Sequence, residues 1–389
     1  MFAIMIMANG KSLALAMFVC LTVVLKTKCQ ETEETCVGDE CTISGRSMLQ
    51  ITKRRLEFEH FVEHGEEKAD SSEGESSKEN KADLNLKQEG GMFMEKYGKF
   101  EIRSYNSAST STQEAKWILS FPRGCTSSEM AKVEEGMLPY MKEDFKSDST
   151  EHKGICVLMV NGTRSSLKNG LDHTTSLPTD VAIEEDSLDY PDWGMSVDAT
   201  ASLPWGLDRI DQRSRCADDS YLPPAGLTGK GVHVFITDTG IRTTHTDFEG
   251  RAFKSFDATS GIPVVCDGTD DQCAGDTHGH GTHCAGTIGG KTYGVAKEST
   301  LHSLKVLNPS GYVSWQIEAI DWVMKNDKLR PGIISMSLGG KSKSQPRENA
   351  INTAVKSGVV VVVAAGNDND DACNHGPAYI PSVITVGAT

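Results

Sequence analysis

Basic charge is scarce in this sequence. Lys and Arg number 39 against 54 Asp and Glu, a formal net charge of -15. Most of the deficit lies in residues 1–198, with 22 Lys and Arg against 34 Asp and Glu. Neither half carries a basic stripe, which excludes nucleic acid as a partner on electrostatic grounds. Long apolar runs are equally scarce. Leu13 to Leu25, after Lys11, falls short of the roughly 20 residues a membrane span needs, and no later segment comes closer. Zinc-ribbon spacing is absent: Cys20, Cys29, Cys36, Cys41, Cys125, Cys156, Cys216, Cys266, Cys273, Cys284 and Cys373 stand at irregular intervals. The H-E-x-x-H helical pair of a zinc hydrolase is missing too.

What is present sorts into five segments. The short apolar run fits the h-region of a signal peptide over residues 1–28, with an uncleaved signal anchor as the alternative. Either sends the body of the chain out of the cytosol, where several of the cysteines are expected to form disulfides. Residues 29–115 form an acidic leader with little hydrophobic periodicity, predicted to be disordered throughout. Its Glu/Ser/Lys-rich stretch at 59–91 buries too little apolar surface to offset chain entropy and is predicted to be disordered. Residues 116–192 read strand, helix, strand: KWILSF (116–121), a helical spacing of Met130, Val133, Met137, Leu138 and Met141, and ICVLMV (155–160). DVAIEED (180–186) is a weaker strand, and the whole is a small α+β domain. Asn161-Gly-Thr is a glycosylation acceptor expected on a surface turn, so Asn161 is a candidate glycan site. Residues 193–203 are a linker, and residues 204–389 form the largest unit.

Within that unit, strands are predicted at 231–237, 300–307, 332–338, 358–365 and 382–386, with helices at 281–289, 313–326 and 346–357. GVVVVVAA (358–365) is apolar on both faces, the mark of a central strand in a parallel sheet covered by helices on both sides. Functional residues of such sheets gather at the carboxyl ends of the strands. Asp238 ends the first strand and opens a Thr-Gly loop. A carboxylate there must be hydrogen-bonded to stay charged, although an Asp capping a turn looks the same in isolation. His278, His280 and His283 lie close together. Gly279 and Gly281 flank His280 and let the backbone bring one ring to a cleft edge, which suits general-base work. His283 and Cys284 read as packing groups. Asn367 follows the buried strand and can donate an amide to an oxyanion, or simply make a turn in AAGNDND.

Taken together, PWGLDRID (204–211), DTGI (238–241), HGTHCAGTIGG (280–290), SMSLGG (335–340) and AAGND (364–368) resemble the subtilisin-like serine proteases, most of all the proteinase K branch. The resemblance implies a subtilisin-like α/β fold with a parallel sheet between helices. It makes residues 204–389 the catalytic domain, and 116–192 a ferredoxin-like inhibitory propeptide with self-cleavage in 193–203. It makes Asp238 the orienting acid, His280 the base and Asn367 the oxyanion donor. Ser337, Leu338 and Gly339 become one wall of the substrate cleft, and Ala364, Ala365 and Gly366 the other. Cys284 matches a Cys kept near the His. Pro381 and Val383 match backbone-carbonyl ligands of a structural calcium; catalysis itself needs no cofactor.

The implied function is a secreted, monomeric endopeptidase zymogen acting on protein or peptide substrates, with its own propeptide as an intramolecular partner. A membrane is a partner only if the N-terminal segment is an uncleaved anchor. The sequence departs from the family in two ways. No Gly-Thr-Ser-Met-Ala motif supplies the nucleophile before Thr389, so the chain reads as truncated. CDGTDDQC (266–273) is an acidic insert in which Cys266 and Cys273 can close a disulfide and Asp267, Asp270 and Asp271 can bind calcium or stay solvated. Two other functions compete: a naturally truncated non-catalytic binder or protease inhibitor acting through the propeptide, and a metallohydrolase built on the His cluster.

Overall fold

The computed structural model describes residues 86–89, 92–105, 113–148, 154–175, 177–192, 203–211, 220–223 and 226–388. The signal or anchor segment, most of the leader and all but the last residue of the linker 193–203 lie outside them. Among the described residues no helix is long and apolar enough to cross a membrane.

Residues 233–386 build a seven-stranded sheet in the order 264–265, 252–257, 300–305, 233–238, 332–336, 360–364, 384–386. Every pairing is parallel except that of the short 264–265 edge. Strand side chains alternate between faces, and the alternation is visible in the packing. Val234, Ile236, Leu301, Ile333 and Val362 pack with Cys284, Ala285 and Ile288 of helix His280–Gly289. Phe235, Leu304, Ile334, Met336, Val361 and Val363 face the other way, toward helices Val313–Lys325 and Gln345–Lys356. This is the expected parallel sheet with helices on both faces. Strand Ala252–Asp257 escapes the sequence pattern because it mixes charged and apolar residues (AFKSFD) near the sheet's rim.

The N-terminal unit is a second seven-stranded sheet. Four of its strands run 182–185, 114–120, 157–163, 142–147. With helices Ser127–Met137 and Arg164–His173 they follow the split β-α-β plan of a ferredoxin-like domain. Order begins earlier than the sequence suggests. Strands Leu86–Glu89, Met92–Tyr97 and Phe100–Ser104 extend the sheet through the parallel pairing of Ile102 with Ile183. The disordered leader therefore cannot run to residue 115 as predicted. The three strands are recruited by a sheet edge that sequence patterning does not reveal. Asn161 also departs from expectation. It sits inside strand Val157–Thr163, paired on both sides, and its Nδ2 donates to Asp144 Oδ1 at 3.1 Å. The nitrogen that would carry a glycan is thus already engaged.

The two sheets share a core. Ile118, Val157 and Met159 of the N-terminal sheet pack with Ile317, Ile320, Ile351 and Ala354 of the two helices. Disulfides link Cys125 to Cys156 and Cys266 to Cys273. Cys284 is buried and Cys373 exposed outside them. Cys20, Cys29, Cys36, Cys41 and Cys216 lie outside the described residues.

Candidate active site

Asp238 closes strand His233–Asp238 between two parallel neighbours and is 1% exposed. The next residue's N–H donates to Asp238 Oδ1 at 2.6 Å. The chain then turns through Gly240 at φ +105, where a side chain would run into the carbonyls of Ala274 and Gly275. Gly279, at φ +102, caps the following helix, and His280 is its first residue. The turn delivers the ring to the sheet. His280 Nδ1 lies 2.8 Å from Asp238 Oδ1 and 2.9 Å from Oδ2, with the imidazole 3% exposed. Gly281 permits this approach, since a Cβ there would stand 2.2 Å from the Gly240 carbonyl oxygen. A carboxylate so placed holds the proton on Nδ1 and leaves Nε2 for chemistry.

Asp276 organises the loop and was not singled out in the sequence. Its Oδ1 accepts from Thr239 Oγ1, His278 N and Gly279 N, and its Oδ2 accepts from Thr282 N and Oγ1. Burial pushes its pKa up, but hydrogen bonds from Thr282, Gly279 and His278 outweigh that and lower it. Its signal was its position just ahead of a helix N-terminus, where a carboxylate caps orphan N–H groups.

His280 Nε2 faces a main-chain carbonyl, Asp192 O, at 3.0 Å. That carbonyl belongs to an extended segment of the N-terminal unit. Strand Leu188–Pro191 pairs antiparallel with Leu338–Gly339 on one side and Gly311–Tyr312 on the other. Asp192 N donates to Ser337 O at 3.0 Å. Of the residues expected to line a cleft, Ser337, Leu338 and Gly339 thus hold a peptide strand. Ala364 ends the neighbouring central strand, and Ala365 and Gly366 follow it, half-buried. Asn367 comes next, exposed, in the loop after Gly366 at φ +92. The Asp192 carboxyl is pushed up to about 6, chiefly by burial.

The three histidines form no shared metal-ligand cluster among the described residues. The one cluster with metal-ligand spacing among the described residues is Asp238, His280 and Cys284, with Cys284 Sγ 3.9 Å from His280 Nδ1. It shares its imidazole with the Asp–His pair, and neither His278 nor His283 joins it. Pro381 and Val383 flank the turn into strand Ile384–Val386. Two carbonyls are a minority of the six to eight oxygens calcium takes, so this pair alone does not define a site. Asp267, Asp270 and Asp271 are exposed. Asp267 and Asp270 accept from Thr269 and Gln272 of their own loop.

A strand-end carboxylate paired with an imidazole that faces a peptide carbonyl has the geometry that general-base activation of a nucleophile uses. Residues 229–389 match the subtilase family (peptidase S8). The chain is similar to an extracellular serine proteinase of Thermus sp. (strain Rt41A), 50% identical over 187 residues, which are 48% of this chain and 42% of the relative. It also resembles a cuticle-degrading serine protease of Arthrobotrys oligospora, 44% identical over 186 residues, 47% of this chain and 44% of that one. Among solved structures, a cold adapted subtilisin-like serine proteinase is 42% identical, covering 48% of this chain and 65% of that one, with a TM-score of 0.44. The chain spans less than half the length of these two curated relatives.

Proposed function

We propose that these residues belong to a secreted serine endopeptidase made as a zymogen. The observation that carries this reading is the Asp192 carbonyl at His280 Nε2, on a strand held by Leu338–Gly339 as a substrate would be. In the reaction, a Ser hydroxyl attacks the scissile carbonyl while His280 takes its proton. The peptide C–N bond breaks as His280 returns that proton to the leaving amine, and water then hydrolyses the acyl ester. Asp238 fixes the ring tautomer and stabilises the imidazolium. Asn367 and a main-chain N–H at the nucleophile hold the oxyanion, where one donor is worth about 3 kcal/mol of barrier.

The N-terminal unit is the inhibitor in this scheme, and residues 193–203 are the processing linker. It fills the cleft with strand 188–191, and its sheet packs on the two helices behind the site. Pro381 and Val383 remain candidate calcium ligands that need further oxygens. The test is secretion of the whole gene product with and without His280→Ala. Wild type is expected to lose the N-terminal unit and hydrolyse casein, and the variant to stay unprocessed and inert. Normal processing and hydrolysis by the variant would remove the reading.

A further inference from the structure

Strand Leu188–Pro191 exposes Leu188 and Tyr190 and turns Asp189 inward. Asp189 stands three residues before Asp192, whose carbonyl meets His280, so it is the fourth residue before the presented bond. Its carboxylate meets the guanidinium of Arg347, and neither side chain has any exposed surface. Arg347 Nη1 donates to Asp189 Oδ2 and, at 3.2 Å, to Gln316 Oε1. Nη2 donates to Ser342 O at 2.9 Å, and Gln316 Nε2 donates to Asp189 Oδ2 at 2.9 Å. Gln316 therefore reads both partners with one amide. Two glycines make room for the pair. A Cβ on Gly340 would lie 2.5 Å from Asp189 Oδ1, and one on Gly376 would lie 2.0 Å from Arg347 Nη2. Arg347 Nε and Asp189 Oδ1 have no partner among the described residues, so the pocket has unused bonding capacity.

We propose that this pocket selects acidic peptides: Arg347, with Gln316, is the specificity-determining receptor for an Asp or Glu side chain at the fourth residue before the scissile bond. The proposal rests on the peptidase reading above. Its physical basis is that a guanidinium does not give up its proton in a protein, and a buried one is costly unless paired. Arg347 is held by helix Gln345–Lys356 of the protease domain, whereas Asp189 belongs to the docked strand. When that strand leaves, the next peptide to lie along Leu338–Gly339 must bring a carboxylate to the same place or leave the charge uncompensated. An apolar side chain forfeits the pair, and a Lys or Arg adds repulsion.

Two measurements test this. In the first, hydrogen exchange at the amides of residues 188–192 in the full chain reads the docked strand without requiring activity. Asp189→Asn and Arg347→Gln are each expected to speed exchange at least about tenfold, and Asp189→Glu to recover most of the protection. The double variant Asp189→Leu, Arg347→Leu should exchange more slowly than either single Leu variant, because it removes both charges together. Unchanged exchange in both single charge-removing variants would overturn the pairing. In the second, the processed whole enzyme is offered quenched peptides differing only at the fourth residue before the cleaved bond. The Asp peptide should exceed the Leu peptide about a hundredfold in kcat/KM and the Lys peptide by more, with Arg347→Leu reversing the order of Asp and Leu. Equal or faster cleavage of the Leu peptide rejects the acidic pocket and leaves the peptidase reading standing. No cleavage of any peptide rejects the peptidase reading, and the exchange cycle then decides whether Arg347 receives Asp189.

Discussion

At the scale of residues, the site depends on a short contact made possible by missing side chains. Asp238 and His280 meet because Gly240, Gly279 and Gly281 occupy positions where a Cβ would strain or block the turn. Gly281→Ala should therefore separate the pair, since its Cβ would stand 2.2 Å from a carbonyl oxygen. Loss of activity at full secretion level, with a downfield Nδ1 proton signal missing by NMR, is the expected result. Asp238→Asn should keep the fold and lower kcat about ten-thousandfold, as the amide holds the wrong tautomer, measured on the processed whole enzyme. These two residues were legible because each carries a local signature, a strand-end carboxylate and a His between glycines. Asp276 was not, since a single Asp before a helix looks like any cap until its five hydrogen bonds are seen together.

At the scale of elements, helices were easier to read than edges. The helices predicted at 281–289, 313–326 and 346–357 appear at 280–289, 313–325 and 345–356, because apolar spacing and Pro346 mark them locally. Strands 86–104 lacked such a signal; they pair with one another locally, and only Phe100–Ser104 joins the sheet through a partner far along the chain, Ala182–Glu185. Helix Val313–Lys325 has no side-chain cap of its own and borrows one. Asp186 of the N-terminal unit accepts from Ser314 N at 3.0 Å and Ser314 Oγ at 2.5 Å. Asp186→Ala should cost about 1 kcal/mol of stability, read as a lower urea midpoint for the full chain. The Cys125–Cys156 disulfide ties the segment after strand 114–120 to the start of strand 157–163 across 31 residues. Replacing both with Ser is expected to cost about 4 kcal/mol by the loop-entropy argument, seen as a fall in Tm.

At the scale of the whole molecule, the two sheets meet across carboxyl groups with no easy place for charge. Glu318 is pushed from an ordinary 4.5 up to about 8, mainly by burial; Lys116 opposes this, and Asp144, Asp186 and Asp321 add to it. Asp186 is pushed up to about 6 by burial, against its bonds to Ser314. The assembled state therefore holds protons that the separated state releases. Its stability is greatest below about pH 4.5 as far as Glu318 is concerned, and falls as pH rises through about 8. Urea midpoints of the full chain should decline between those values more steeply in wild type than in Glu318→Gln, which cannot ionise. Parallel slopes would show that Glu318 ionises elsewhere.

The sequence by itself determined the succession of three helices and five strands within residues 204–389 and the short motifs that single out Asp238 and His280. Each of these is written in local periodicity or in a short motif. The tertiary structure alone decided that the N-terminal unit begins by Leu86, that Asn161 lies inside a sheet, that Asp192 faces His280 and that Arg347 is buried against Asp189. Those outcomes are pairings between residues up to 158 positions apart. Their energies come from desolvation and hydrogen-bond geometry at the contact, and neither is present in the chain until it has folded.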